Sequence, residues 1–572
     1  MKIANYDKFP ATRLPGFLVR GWDDIVKILS ESPRPLVVET YTGVDEEEIT
    51  GAMKRIAGDD IIFTGYLMKP EEEILRLTAP YMTDDILFGV ITALRLEDYF
   101  DFDKLEKARE DVRLGKKSVI IGPGASLVVP DGGTVVYVDM ARWEIQQRMR
   151  RHFVKALGVD NRHEPVSLQY KRGYFNDWRI LDSHKEKLYG RVDYWIDSHI
   201  PDDPRMIDKA TFMRGINLTA SGPFRVVPFF DPAPWGGQWM KETCNLDRSK
   251  ANYGWCFDCV PEENSLSLDV DGVRFEMPSV NLILLKSRDV LGEPVEARFG
   301  KDFPIRFDFL DTVDGGNLSL QVHPTVHFIR QHFGLNYTQD ESYYLLDAKE
   351  GATVYIGLKK GVDKEEMFGA LRKAQADGSA FDVERYVNRI PARKHDHFLI
   401  PGGTIHCSGA GALVLEISST PNIFTFKLYD WQRLGLDGKP RPINIDRGEK
   451  VIDFGRDTDY VEKYLHNRVE KVAEGDGWIE ERTGLHRNEF IETRRHRFSK
   501  PVIHYTDQSV NVLNLLEGRE AIVESPQGRF APFVVHYAET FIIPAAVGEY
   551  TIRPYGESEG KECVTIKAYV RV

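Results

Sequence analysis

The residues whose types and spacing could do chemistry are densest between positions 319 and 433. In Ser319-Leu320-Gln321-Val322-His323-Pro324, strand alternation sets Ser319, Gln321 and His323 on one face and Leu320 and Val322 on the other. Hydroxyl, amide and imidazole are thereby aimed at a polar pocket. Farther on, Asp340-Glu341-Ser342-Tyr343-Tyr344 brings a carboxylate to the start of an aromatic strand, and His406 follows the turn Pro401-Gly402-Gly403. Two imidazoles, one carboxylate and one amide oxygen form a mixed nitrogen and oxygen set that suits Zn²⁺ or another divalent transition metal, with positions left open for water or substrate. An open site of this kind is catalytic. The competing expectation is that His323 and His406 are unrelated strand histidines, and their order and spacing argue for a shared site.

The elements that must position these residues divide the chain into three parts: 1–205, 206–448 and 449–572. In the first, short apolar runs (Leu36-Val37-Val38, Val119-Ile120-Ile121, Val135-Val136-Tyr137-Val138) alternate with helical stretches at 20–31 and 141–157, the pattern of a parallel α/β sheet. From 206 onward short apolar runs punctuated by Gly and Pro predict an antiparallel sandwich or barrel, interrupted by a helical insertion near 360–390. The charged stretch 449–500 reads as a connecting helix and linker. The last part returns to strands, and the alternation in Val510-Asn511-Val512-Leu513-Asn514-Leu515 predicts one buried face. The expected fold class is therefore a multidomain chain, α/β followed by all-β.

Composition removes several classes of function. The 572 residues, 42% hydrophobic and 28% charged, are ordinary globular composition, enough for three or four domains at roughly 100–200 residues each. With 75 Lys+Arg against 88 Asp+Glu the net charge is -13, which argues against nucleic acid as a partner. No apolar run approaches the roughly 18–20 residues of a membrane span, and the opening MKIANYDKFPATRLPG lacks the apolar core of a secretory signal. Five cysteines do not make a disulfide framework, so a cytoplasmic protein with reduced thiols is expected. Cys256 and Cys259 form a lone C-x-x-C without a second pair, and His395-Asp396-His397 reads as a polar turn. Arg148, Arg150, Arg151 and His152, with Tyr170-Lys171-Arg172-Gly173 downstream, are either a phosphate hold or a solvated helix face. Gly122-Pro123-Gly124-Ala125-Ser126 could cradle a phosphate on backbone N–H groups, although the lysine of a P-loop is missing.

Five motifs fall in the order seen in one family: Gln321-x-His323-Pro324, the segment 340–348, Pro401-Gly402-Gly403-Thr404-Ile405-His406, the segment 411–417, and Leu428-Tyr429-Asp430-Trp431-Gln432-Arg433. With Pro234-Trp235-Gly236-Gly237, Phe309-Leu310-Asp311 and Phe541-Ile542-Ile543-Pro544-Ala545-Ala546, this part of the chain resembles type I mannose-6-phosphate isomerases of the cupin superfamily. The resemblance implies double-stranded β-helix (cupin) domains and one Zn²⁺ per chain on Gln321, His323, Glu341 and His406. It also implies interconversion of mannose 6-phosphate and fructose 6-phosphate through a cis-enediol. Lys427 would be the catalytic cation, and Arg433, Ser319, Trp235 and Arg306 would bind the sugar phosphate. The chain departs from the family at three charged positions: Lys427 stands for an arginine, and Gln339 and Asp308 stand for lysines. Those departures motivate the rival expectation of a sugar-phosphate sensor or scaffold that keeps the metal without turnover. In the first 205 residues, segments 38–45 and 136–139 faintly resemble a nucleoside or uridine kinase fold without its phosphate-binding lysine, so phosphoryl transfer is not expected.

Overall fold

The structure, a computed structural model, describes residues 4–421 and 423–572. The first part is built on a seven-stranded sheet. Its parallel strands lie side by side in the order Ile61–Phe63, Val119–Ile121, Leu36–Thr40, Thr134–Asp139 and Tyr194–Asp197. Antiparallel Arg205–Asp208 and Leu18–Arg20 extend one edge, so the sheet continues past 205. The three central strands, Leu36–Thr40, Val119–Ile121 and Thr134–Asp139, are buried throughout, as a parallel sheet covered on both faces demands. The first expected helix runs Trp22–Glu31. The second, expected over 141–157, stops at Arg150. Beyond it, side chains capture the backbone: Asn161 accepts the Ala156 N–H and Asp177 the Leu157 N–H, which offers the chain an alternative to helix.

The middle part is the double-stranded β-helix. One sheet carries, in order, His397–Ile400, Glu341–Ala348, Ala412–Ser419, Ile305–Asp311, Trp255–Cys259 and Phe229–Asp231. The facing sheet carries Val387–Pro391, Thr353–Leu358, His406–Ser408, Leu320–Val322 and Phe426–Tyr429. The insertion helix is Lys364–Asp377, started by Asp363 accepting the Glu366 N–H and ended by left-handed Gly378. The fold class expected from the sequence, α/β followed by cupin domains, is the one observed. A short strand near the start, Thr12–Leu14, pairs in parallel not with the α/β sheet but with Ser265–Val270.

The stretch 449–500 corrects the expectation of a helix and linker. After short helical turns it forms strands Glu470–Gly475, Trp478–Gly484 and Ile491–Phe498, which join Cys563–Val570, Asn511–Glu517 and Thr540–Ile543 in one sheet. The charges that looked like linker pair across the strands, Arg494 with Glu480 at 3.2 Å and Arg495 with Glu481 at 2.7 Å. Strand Asn511–Glu517 is buried on both faces, not one: Leu513 and Leu515 enter the small core of the last domain, while Val512 and Leu516 join the main core. Buried Arg225 ties the parts together, donating to the Asp7 carbonyl at 2.9 Å and the Thr540 carbonyl at 3.1 Å and pairing with Glu539 at 2.8 Å. Among the described residues no helix is long and apolar enough to cross a membrane.

Candidate metal centre

Register brings the predicted ligands together. Gln321 lies opposite His406 on one neighbouring strand and opposite Lys427 on the other. Glu341 opens the first aromatic strand of the facing sheet, paired with Ser418. His323 stands just beyond strand Leu320–Val322, its backbone carbonyl accepting the Gly403 N–H at 2.8 Å, so the Pro-Gly-Gly turn holds both histidines in place.

The ring orientations decide the chemistry. His323 Nδ1 sits 3.1 Å from the Phe424 carbonyl and His406 Nδ1 2.8 Å from the Thr404 carbonyl. A carbonyl only accepts, so each Nδ1 carries a proton, and in the neutral ring each Nε2 presents a lone pair. Those two nitrogens face one carboxylate, His323 Nε2 at 3.1 Å and His406 Nε2 at 2.7 Å from the Glu341 oxygens. The three donor atoms lie within 4.8 Å of one another and all three residues are buried. His323 Nε2 and Glu341 Oε1 have no hydrogen-bond partner. With both rings neutral, two lone pairs face a carboxylate, an arrangement that a dry interior tolerates only with a positive charge among them. Burial would raise the Glu341 carboxyl, but the His323 and His406 imidazoles outweigh it and hold the group well below the usual carboxylate range. Burial lowers His323, and the Glu341 charge more than reverses that. The Gln321 amide lies 3.3 Å from His406 Nε2, and a half-turn of the amide exchanges its nitrogen for its oxygen. This donor set fits a divalent ion such as zinc.

Beside the cluster opens a cavity of about 440 Å³. Gln321 belongs to both. Of the residues expected to touch substrate, Trp235, Arg306, Ser319 and Lys427 line it. Arg433 does not, since its guanidinium turns to Asp430 at 2.9 Å. Arg441, which the sequence did not single out, takes a place on that wall and donates to Ser319 Oγ at 2.7 Å as well as to Asp430. Burial, aided by Arg441, lowers the Lys427 ammonium to about 8. Arg306 pairs with Asp308 while its Nε and Nη1 stay unpartnered. Gln339 donates to Glu341 at 3.2 Å and Glu416 at 3.3 Å, and burial next to Glu341 pushes the Glu416 carboxyl far up.

The cavity has a roof supplied by the first domain. Gln146, Arg150, Ser167 and Tyr170, from helices Arg142–Arg150 and Val166–Arg172, line it. The roof is fastened down: Arg150 forks onto Asp231 at 2.8 and 2.6 Å, Tyr170 donates to Glu263 at 3.0 Å, and Trp143 stacks on Phe229 with ring centres 3.9 Å apart. The basic cluster noted in the sequence is therefore spent on structure. Arg148 is buried on the Gly43 and Ser198 carbonyls, and Arg151 reaches Glu144.

The remaining motifs resolve simply. The glycine-rich turn does cradle an anion, but the anion is the chain's own Glu39, which accepts the Gly124 N–H at 2.9 Å and the Ser126 N–H at 2.7 Å. All five cysteines are free and buried. The polar turn contains His395, at φ 74°, whereas His397 is the buried first residue of a strand.

Residues 21–221 match a family described as "Domain of unknown function (DUF8485)". The chain is 28% identical over 224 residues to the mannose-6-phosphate isomerase of Streptococcus mutans, a match covering 39% of this chain and 65% of that protein. It is 23% identical over 330 residues to the probable mannose-6-phosphate isomerase GmuF of Bacillus subtilis, covering 58% of this chain and 96% of that one. The crystal structure of the mannose 6-phosphate isomerase from Bacillus subtilis superposes with a TM-score of 0.50 at 20% identity, over 61% of this chain and 100% of that chain. The chain is thus a homologue of mannose-6-phosphate isomerases that shares their cupin core and carries in addition an α/β unit.

Proposed function

We propose that the roofed cavity is the active site of an aldose–ketose isomerase that interconverts mannose 6-phosphate and fructose 6-phosphate, or a close sugar phosphate, through a cis-enediol. The observation that carries this reading is the buried cluster of His323, Glu341 and His406 beside a cavity whose cupin walls present three cationic side chains, Arg306, Lys427 and Arg441. The names of the relatives support the substrate. Gln321, His323, Glu341 and His406 would hold one Zn²⁺ per chain. When bound, the ion supplies Lewis acidity toward the carbonyl and hydroxyl oxygens of the open-chain sugar.

The chain's own groups do the rest. Lys427, in register with Gln321, places an ammonium where negative charge grows on the enediolate oxygens. Arg441 and Ser319 grip the phosphate, the guanidinium with its planar fork. Arg433 acts at one remove, orienting Asp430, which both arginines share. The Trp235 ring covers the apolar face of the sugar, and the unpartnered N–H groups of Arg306 offer donors to its hydroxyls. The roof keeps bulk water away from the enediolate.

In this proposal 206–448 is the isomerase domain, 449–572 buttresses it, and 1–205 is a kinase-like fold without phosphoryl transfer. The parallel strand order supports that last reading of the fold, and Glu39 in the phosphate cradle supports the absence of transfer. The five free thiols support a cytoplasmic setting. The test is a coupled assay for fructose 6-phosphate formed from mannose 6-phosphate, with zinc-loaded and chelator-stripped protein. Metal-dependent turnover is expected. Bound zinc without turnover of any aldose or ketose phosphate would leave a sensor in place of an enzyme.

A further inference from the structure

The first domain has a cavity of its own, about 530 Å³, that the isomerase reading does not use. It lies outside the carboxyl ends of three adjacent parallel strands: Thr40 ends Leu36–Thr40, Thr64 follows Ile61–Phe63, and Gly122 follows Val119–Ile121. Open α/β sheets bind their ligands in this crevice, where the strand order reverses.

Three features of its lining select a ligand class. First, the hydroxyls of Thr40 and Thr64 are buried with no hydrogen-bond partner, although a buried hydroxyl without a partner is costly. Gly122 keeps the floor open, because a Cβ there would stand 2.1 Å from the Thr64 hydroxyl. Second, the places a phosphate would take are already filled by acids. Glu39 occupies the backbone cradle of Gly124 and Ser126. Asp45 caps helix Glu46–Ala57, accepting the N–H groups of Glu47 and Glu48, and Glu46, Glu47 and Glu48 crowd its first turn. The lining cations are Lys155 and Arg162, both exposed, and Arg162 is forked onto Asp160 at 2.8 and 2.6 Å. Third, Tyr66 and Phe153 stand exposed at the edge, where flat rings can cover a sugar or a base.

We propose that this cavity binds a neutral, hydroxyl-rich molecule of nucleoside or monosaccharide size, through Thr40 and Thr64 on the floor, the carboxylates of Glu46 and Glu47 at the mouth, and the rings of Tyr66 and Phe153. A volume of this order suits such ligands. The proposal stands apart from the isomerase reading, so the two can fail separately.

The test uses the full chain and isothermal titration with uridine, adenosine and D-mannose, and with uridine 5′-monophosphate and adenosine 5′-monophosphate. At least one neutral probe should bind, the nucleosides and the sugar separating the two sources of the same chemistry. A nucleoside that binds should do so at least about tenfold more tightly than its monophosphate, because the acids repel the added charge. Thr40→Val and Thr64→Val should each weaken binding about five- to tenfold. Should either variant fold poorly, Gly65→Phe serves: a Cβ at Gly65 meets nothing within 4 Å, so the ring can enter the cavity from its lining without disturbing the core, and binding should vanish. No heat with any neutral probe, heat that survives Gly65→Phe, or a monophosphate that binds as well as its nucleoside would overturn the proposal.

Discussion

The two cavities are similar in volume, about 440 and 530 Å³, and opposite in character. In the cupin domain the chain spends Asp308 and Asp430 on its arginines and still has Lys427 and the Nε and Nη1 of Arg306 to offer. In the α/β domain it fills the anion cradle with its own Glu39 and the helix start with Asp45. Size does not separate them. What separates them is where each domain has already placed its counter-ions, since a buried site can take only the charge that its walls leave unmet.

The contrast breaks most visibly at the metal cluster. His406→Ala and Glu341→Gln should each lose bound zinc and detectable isomerisation while the chain stays folded, because an open site contributes less to folding than a closed structural one. Elemental analysis checks this, and full occupancy in both variants would refute the ligand assignment. Lys427→Met should keep the zinc and lose about 10²–10³-fold in kcat, the usual cost of removing one charge-stabilising donor. Ligand binding in the α/β cavity should not change in any of the three.

A smaller effect sharpens the comparison at the roof, where the first domain meets the second domain's site. Arg150→Ala removes a bidentate ion pair at an exposed edge, so KM for the sugar phosphate should rise by about three- to tenfold with kcat nearly unchanged. Unchanged KM would mean that the roof only packs.

The smallest effect concerns stability. Glu262, next to the roof anchor Glu263, has neither carboxylate oxygen hydrogen-bonded, and burial raises it to about 7. The folded state therefore holds a proton that the unfolded chain releases near its ordinary value of about 4.3. Its contribution to stability falls as pH rises from that value through about 7. Glu262→Gln should raise the melting temperature at pH 8 and leave it unchanged at pH 5. An equal shift at both pH values would show that charge is not the cause.

Much of the metal cluster was legible because it is local. Strand alternation put Gln321 and His323 on one face, and the motif order chose Glu341 over Asp340, whose side chain instead accepts the Gly402 N–H at 2.8 Å. The roof was not legible: Arg150 meets Asp231, and Gln146 and Tyr170 meet Glu263, across sequence separations that no periodicity encodes. The same holds for the glycine turn at 122–126, readable as an anion cradle but not as the cradle of Glu39. The strands of 470–498 were hidden because their charges are satisfied by partners on neighbouring strands. Arg441, set between two prolines, has no pattern to betray it.

The strand Thr12–Leu14 bears on how the molecule is made. Its register partner for Thr12 is Leu268, so the strand leaves the ribosome long before anything it can pair with exists. At about 5–20 residues per second that wait is roughly 10–50 s. Every strand of the α/β sheet, the last being Arg205–Asp208, is synthesised within it. The nascent domain thus has time to form while this strand lacks its ladder partner, and translation past residue 270 then adds the segment to the sheet of Ser265–Val270.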